Sequence, residues 1–205
     1  MTSVIFDVGG VLIDWNPRHL YRKLFDVDSD GLMERFLAEV CTPEWNLRQD
    51  AGRPFAEAVA ELTRCFPDYA DLIAAYDSRW EEMVPGAHDE TIDLVRELKA
   101  QGTPLYCLTN FSREKFPLIR RRFDVFDLFD GIVVSAEIGM VKPDPAVYRY
   151  LVDRFGLEAP SCLFVDDVEA NVGAASSIGM QAVRYLSGRQ LRRDLRMRQV
   201  LTSPA

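Results

Sequence analysis

Apolar positions follow different periods in different parts of the chain. Residues 3–7 (SVIFD) form a short, nearly continuous apolar run closed by Gly9-Gly10, which predicts a buried strand of a parallel sheet followed by a turn. From about Pro17 to Trp80 the spacing becomes helical. Phe55, Val59, Leu62 and Phe66 fall on one stripe, and Leu72, Ile73, Tyr76 and Trp80 on another. No strand is predicted between Pro17 and Val84. Pro85-Gly86 then breaks the helical pattern.

Beyond that break the two periods alternate. Residues 89–101 read as an amphipathic helix closed by Gly102, and residues 105–109 as a strand. A helix over 113–122, a strand over 131–135 and a helix over 145–155 ended by Gly156 follow. The series closes with a strand over 162–166, a helix over 170–178 ended by Gly179 and a strand over 182–185. The Arg-rich tail from Arg189 reads as a short, solvated surface helix. Alternation of this kind predicts an α/β fold, a Rossmann-like parallel sheet with helices on both faces, here carrying an inserted all-helical cap. The expected division is 1–14 and 85–205 for the core and 15–84 for the cap.

The chain has 205 residues, enough for one core and a modest insertion. No apolar run approaches a membrane span, and the N-terminus has no basic region ahead of its first strand, so no signal peptide is expected. The net charge of −8 argues against nucleic acid and anionic membranes as partners. Cys41, Cys65, Cys107 and Cys162 form no C-x-x-C pair and lie far in sequence from His19 and His88, which speaks against a zinc site or a disulfide scaffold. A reducing, cytoplasmic setting and a monomer or homodimer are the expectations.

In open parallel sheets ligands bind outside the carboxyl ends of the strands. That rule singles out Asp7, Thr109 with Asn110, and Asp166 with Asp167, while the loop bearing Lys142 opens on the same edge. Any one of these could be an ordinary turn former or helix cap. Taken together, three carboxylates at the ends of buried strands would repel one another unless a cation joins them. Hard oxygen donors with few side-chain ligands suit Mg²⁺. Lys142 adds a fixed positive charge, and Thr109 and Asn110 add neutral donors. The set describes a phosphate site with a carboxylate nucleophile beside it, for a small phosphorylated metabolite.

The ordered set resembles the haloacid dehalogenase (HAD) superfamily over nearly the whole chain. FDVGGVLIDW resembles the first motif, with Asp7 as nucleophile. LYCLTN resembles the second, with Thr109 binding the transferring phosphoryl group. GMVKP resembles the third, with Lys142 balancing charge. LFVDD resembles the fourth, with Asp167 as magnesium ligand supported by Asp166. The helical insertion is similar to a C1 cap. EWNLRQDAGRPFAEA looks like the subgroup that contains alpha-D-glucose-1-phosphate phosphatases and the phosphatase domain of epoxide hydrolases. The resemblance implies a Mg²⁺-dependent phosphatase held to its metal by Asp7, the Gly9 carbonyl, Asp167 and Asp166.

One position departs from that pattern. Most family phosphatases carry an Asp acid/base two residues after the nucleophile, and here Gly9 stands there. Loss of such a group is typically worth about 10²–10⁴ in rate. A sugar 1-phosphate, whose anomeric leaving group needs little protonation, would suit such a site, and Asp14 is a candidate stand-in. A non-catalytic or regulatory protein of the same fold is the alternative. A metal-independent dehalogenase is a further one, opposed by the Asp166-Asp167 pair. Trp15, Trp45, Asn46 and Arg48 are the candidates for substrate selectivity.

Overall fold

The computed structural model describes residues 2–26 and 30–202. Five parallel strands form one sheet: β1 (Ser3–Phe6), β2 (Leu105–Thr109), β3 (Gly131–Val134), β4 (Cys162–Asp166) and β5 (Gln181–Arg184). Their order across the sheet is β3-β2-β1-β4-β5, so the first strand is central. Val4 is in register with Leu105 on one side and with Leu163 on the other.

The strands read as continuous apolar runs because both faces are covered. Val4, Phe6, Leu105, Cys107, Leu163 and Val165 join one core cluster, while Ile5, Leu108, Cys162 and Phe164 join a second on the opposite face. The first cluster takes in Ile92, Val95 and Leu98 of helix α6 (Asp89–Ala100); the second takes in Val147, Tyr148 and Leu151 of α9 (Pro145–Phe155). Cys107 and Cys162 are buried strand residues, and all four cysteines are free thiols.

Among the described residues, the elements between β1 and α6 are helices: α1 (Arg18–Tyr21), α2 (Asp30–Glu39), α3 (Pro43–Asp50), α4 (Phe55–Cys65) and α5 (Ala70–Ser78), with two short 3₁₀ turns. The sequence predicts helical periodicity almost throughout this stretch, and the structure breaks it at chemically marked points. Thr42 caps α3 by accepting from Trp45 N, and Pro43 occupies its first turn. Gly52, at φ +114, and Pro54 separate α3 from α4, and Pro67 stops the chain after α4. The helices share an aromatic centre in which Tyr21, Phe36, Trp45, Phe55 and Tyr76 pack ring against ring.

The remaining helices are α7 (Phe116–Arg122), α8 (Ser135–Ile138), α10 (Glu169–Ser177) and α11 (Gly188–Met197). The expected start of α7 at 113 is three residues early, because Ser112 Oγ accepts from Lys115 N in a turn that precedes the helix. The predicted tail helix forms as α11, capped by Ser187. It is only partly solvated: Leu191 and Leu195 are buried, and its Arg192 pairs with Glu97 of α6. Among the described residues no helix is long and apolar enough to cross a membrane.

Candidate active site

Asp7 directly follows β1, and its amide still donates to Val165 O at 2.9 Å, so the central strand delivers its carboxylate to the carboxyl edge of the sheet. Oδ1 of that carboxylate accepts from Val8 N at 2.7 Å and faces Lys142 Nζ at 2.8 Å. Among the described residues Oδ2 has no donor. The chain then turns tightly, with Leu12 N and Ile13 N donating to Val8 O and Gly10 N returning to Ile13 O. Gly10 has φ +77, and a Cβ there would stand 2.6 Å from Asp167 Oδ2. A side chain is thus excluded twice, by backbone conformation and by contact.

Lys142 arrives in the loop before α9, held by its own backbone. Asn110 Nδ2 donates to Lys142 O at 2.9 Å, and Lys142 N donates to Asn110 Oδ1 at 2.8 Å. Its ammonium reaches Asp166 Oδ2 at 2.6 Å as well as Asp7. Asp166 is fully buried and fully used: Val168 N donates to Oδ1, and Asn171 Nδ2 lies 3.0 Å from each oxygen. Asp167 has no side-chain donor among the described residues.

Burial is the first cause of the unusual acidities here. It pushes Asp7 up to about 7; Asp166 adds to the rise, and Lys142 opposes it. Burial alone would lower Lys142, but the carboxylates of Asp7 and Asp166 outweigh it and hold the ammonium protonated. Asp167 is raised by burial and then by Asp166. Asp7, Asp166 and Asp167 each place an oxygen within 4.8 Å of the others. One lysine does not neutralise three such carboxylates. The clustered carboxylates of Asp7 and Asp167, the latter with no side-chain donor among the described residues, form a hard oxygen set that fits a divalent cation of the Mg²⁺ class.

These four strand-end positions are brought together as the sequence predicts, with two shifts of place. Asn110, expected as a neutral donor to substrate, uses its amide on the Lys142 backbone. Asp166 stands in the acidic cluster, but its oxygens are taken by Lys142, Asn171 and Val168. Thr109 is buried at the end of β2, in register with Val134, with no side-chain hydrogen bond among the described residues.

Above the site opens a cavity of about 710 Å³. Its walls include Trp15, Leu37, Phe55, Tyr76, Trp80 and Phe111, drawn mostly from the helical segment. Of the selectivity candidates, Trp15 and Asn46 line it. Trp45 is buried against Phe55 and Tyr76 instead, and Arg48 is exposed outside it, because it lies on the far side of α3. Asp14 also lies outside the lining: its Oδ1 is 3.0 Å from His19 Nε2 and its amide donates to Gly86 O. Asp14, a candidate stand-in by sequence, is thus bound within its own loop.

Two site residues escaped the sequence reading. Asn171 sits one turn into α10, and an Asn there is no signal by itself. Asp50 closes α3 and lines the cavity. Its burial and the nearby Asp7 push it up to about 7. Its only mark in the sequence is a carboxylate placed at a helix C-terminus, where the helix dipole disfavours it.

Comparison with known proteins agrees with this geometry. A family model described as haloacid dehalogenase-like hydrolase matches residues 1–179. A sesquiterpene phosphatase of Aspergillus oryzae is 31% identical over 188 residues, covering 87% of this chain and 86% of that protein. Mouse acyl-CoA dehydrogenase family member 10 is 28% identical over 201 residues; the match covers 89% of this chain but 18% of that protein's length. The magnesium complex of a HAD family enzyme from Bacteroides thetaiotaomicron shares the fold with TM-score 0.73 at 21% identity, over 96% of this chain and 98% of that one.

Proposed function

This chain belongs to the haloacid dehalogenase-like hydrolase family, and from that premise we propose that it is a Mg²⁺-dependent phosphatase acting through a phosphorylated Asp7. The observation that carries the reading is that Asp7 and Asp167, both lining a large cavity, each place a carboxylate oxygen within 4.8 Å of the other's. Halide displacement has no use for the second carboxylate, and a bare scaffold has no use for either.

Asp7 Oδ2, the oxygen that neither Val8 nor Lys142 holds, attacks phosphorus. The ester P–O bond breaks, the alcohol leaves, and an acyl phosphate forms on Asp7. Water then attacks phosphorus and releases inorganic phosphate, restoring the carboxylate. Lys142 opposes the protonation of Asp7 that burial favours, Asn110 fixes the Lys142 backbone, and Thr109 would offer its hydroxyl to a phosphoryl oxygen. A Mg²⁺ held by Asp7, the Gly9 carbonyl and Asp167, with Asp166 in support, would neutralise phosphoryl charge. Residues 15–84 serve as the cap that encloses the substrate, with 1–14 and 85–205 as the core.

A small sugar phosphate would find Asn46 and Thr42 as polar partners in the cavity wall. A second reading is favoured by the aromatic lining, by a volume well beyond a hexose, and by the similarity to a sesquiterpene phosphatase: a monoester of a longer apolar alcohol. The deciding experiment measures kcat/KM for an aryl phosphate, glucose 1-phosphate and a sesquiterpenyl monophosphate, each with Mg²⁺ and with EDTA, beside halide release from a 2-haloacid. Phosphate release that needs Mg²⁺ supports the proposal. Halide release in EDTA, or no turnover of any ester, overturns it.

A further inference from the structure

With Gly9 where an acid/base would stand, some other group must move the proton. Most titratable side chains around the cavity are already engaged. Glu34 is held by both arms of Arg18, at 2.6 and 2.5 Å. Lys115 is bound to Asp77. The Tyr76 hydroxyl donates to Asn46 Oδ1 at 3.1 Å, and burial raises it well above its ordinary range. Burial likewise pushes the Cys41 thiol up to about 12. Glu44 is exposed at the rim. Asp50 remains.

Asp50 is held in three ways. Asn46 Nδ2, one helical turn earlier, donates to its Oδ2 at 3.0 Å, and Tyr76 in turn orients Asn46. Ser135 Oγ donates to Asp50 O. Two residues on, Gly52 runs beside the start of α8, where a Cβ would stand 3.4 Å from Ala136 O, in ordinary van der Waals contact. Ser135 and Ala136 directly follow β3, so the end of α3 is pinned to the same sheet edge that carries Asp7. Among the described residues Asp50 Oδ1 has no donor. In-line displacement at phosphorus places the leaving oxygen opposite the attacking one. Asp7 attacks from the sheet, so the leaving oxygen faces the helical segment, from which Asp50 enters.

We propose that Asp50 is the proton-transfer residue of this site, a carboxyl supplied by the helical segment in place of the one absent at Gly9. As Asp7 Oδ2 bonds to phosphorus and the ester P–O bond breaks, the Asp50 proton passes to the leaving oxygen, giving the free alcohol and the Asp50 carboxylate. When water attacks the phosphorylated Asp7, its proton passes to Asp50, the P–O bond to Asp7 breaks, and inorganic phosphate leaves. The balance closes with Asp50 protonated again. Burial, the first cause of its raised pKa, favours the protonated form that the first step needs. The inference rests on the phosphatase reading.

The test compares wild type with Asp50→Asn on a simple alkyl phosphate and on p-nitrophenyl phosphate, with Mg²⁺ present, in steady state and in single turnovers. The expected result is a fall in kcat of about 10²–10⁴ for the alkyl ester. With the aryl ester the first step stays within a few fold and dephosphorylation slows, so that a burst of nitrophenol appears. Gly9→Asp added to Asp50→Asn restores much of the alkyl turnover. If Asp50→Asn fails to fold, Asp50→Ser, smaller and without a carboxyl, is measured in its place. Alkyl turnover within about threefold of wild type, or equal losses on both esters expressed as a raised KM, overturns the inference while the phosphatase reading stands. A wild type that hydrolyses neither ester overturns that reading itself.

Discussion

The ammonium of Lys142 stands 2.8 Å from Oδ1 of Asp7, with the two side chains only 1% and 10% exposed. The same ammonium reaches Asp166 at 2.6 Å, so one cation is shared by two buried carboxylates. Removing one partner of such a group leaves charge stranded away from water, which costs about 3–5 kcal/mol. Lys142→Met is therefore expected to lower unfolding stability by about that amount in EDTA and to abolish turnover. Added Mg²⁺ should recover part of the stability, because it supplies positive charge at the same cluster. Urea melts with and without Mg²⁺ check this. A variant as stable as wild type in EDTA would show that the Lys142 ammonium does not hold this cluster together.

Asp7→Asn keeps the shape of the side chain but not its nucleophilicity. Turnover of every phosphate ester is expected to disappear while the fold remains, since among the described residues no other carboxylate has Asp7's place at the end of the central strand. Phosphate release and circular dichroism on the same sample test it. Retention of a tenth of wild-type activity would rule out the phosphorylated-Asp7 pathway.

Adjacent glycines are expected to respond in opposite ways. Gly10→Ala puts a Cβ into Asp167 and strains a backbone at φ +77, so the Mg²⁺ concentration for half-maximal activity should rise by tenfold or more. Gly9 has no such restriction: a Cβ there meets only Trp15 Cβ at 3.8 Å. Gly9→Asp should fold normally and leave the Mg²⁺ requirement unchanged. Metal titrations of activity compare the two, and equal effects would contradict the placement of Asp167 against the turn.

Asp50 gives a pH signature in stability. Burial and the nearby Asp7 push its folded pKa up to about 7, above the ordinary 3.8 of the unfolded chain, so between about pH 4 and 7 the native state holds a proton that the unfolded chain has released. Its contribution therefore becomes less favourable as pH rises through that window. Asp50→Asn removes this loss and should stabilise the metal-free protein at pH 8 by about 1–3 kcal/mol, with little effect near pH 4. Urea unfolding in EDTA at both pH values measures it. An unchanged difference between them would place Asp50 in solvent rather than in the cavity.

Much of this architecture is written locally. Cys162–Asp166 and Leu105–Thr109 are legible because strands buried on both faces must be apolar at nearly every position, and Gly179 closes the helix that follows the first of these. The strand-end Asp7, Thr109, Asp166 and Asp167 are legible for a related reason: a polar residue closing an apolar strand has few inexpensive explanations. Helix breaks in the segment before α6 were less legible, because the apolar stripe continues across Gly52 and Pro67 while the backbone does not.

What the tertiary structure alone decided is which residues meet. The order β3-β2-β1-β4-β5 sets Asp7 between Thr109 and Asp166, and no local pattern encodes that order. It bound the Asn110 amide to the Lys142 backbone at the cavity wall, and it gave Asn171 its two bonds to Asp166. It also carried Asp50 to the cavity lined by Asp7, 43 residues earlier in the chain. Periodicity reports which face of an element is buried; it does not report what lies across from that face. Asp50 reads in sequence as a polar helix end, and its chemistry arises only from docking against Ser135 and Ala136 on the edge of the sheet.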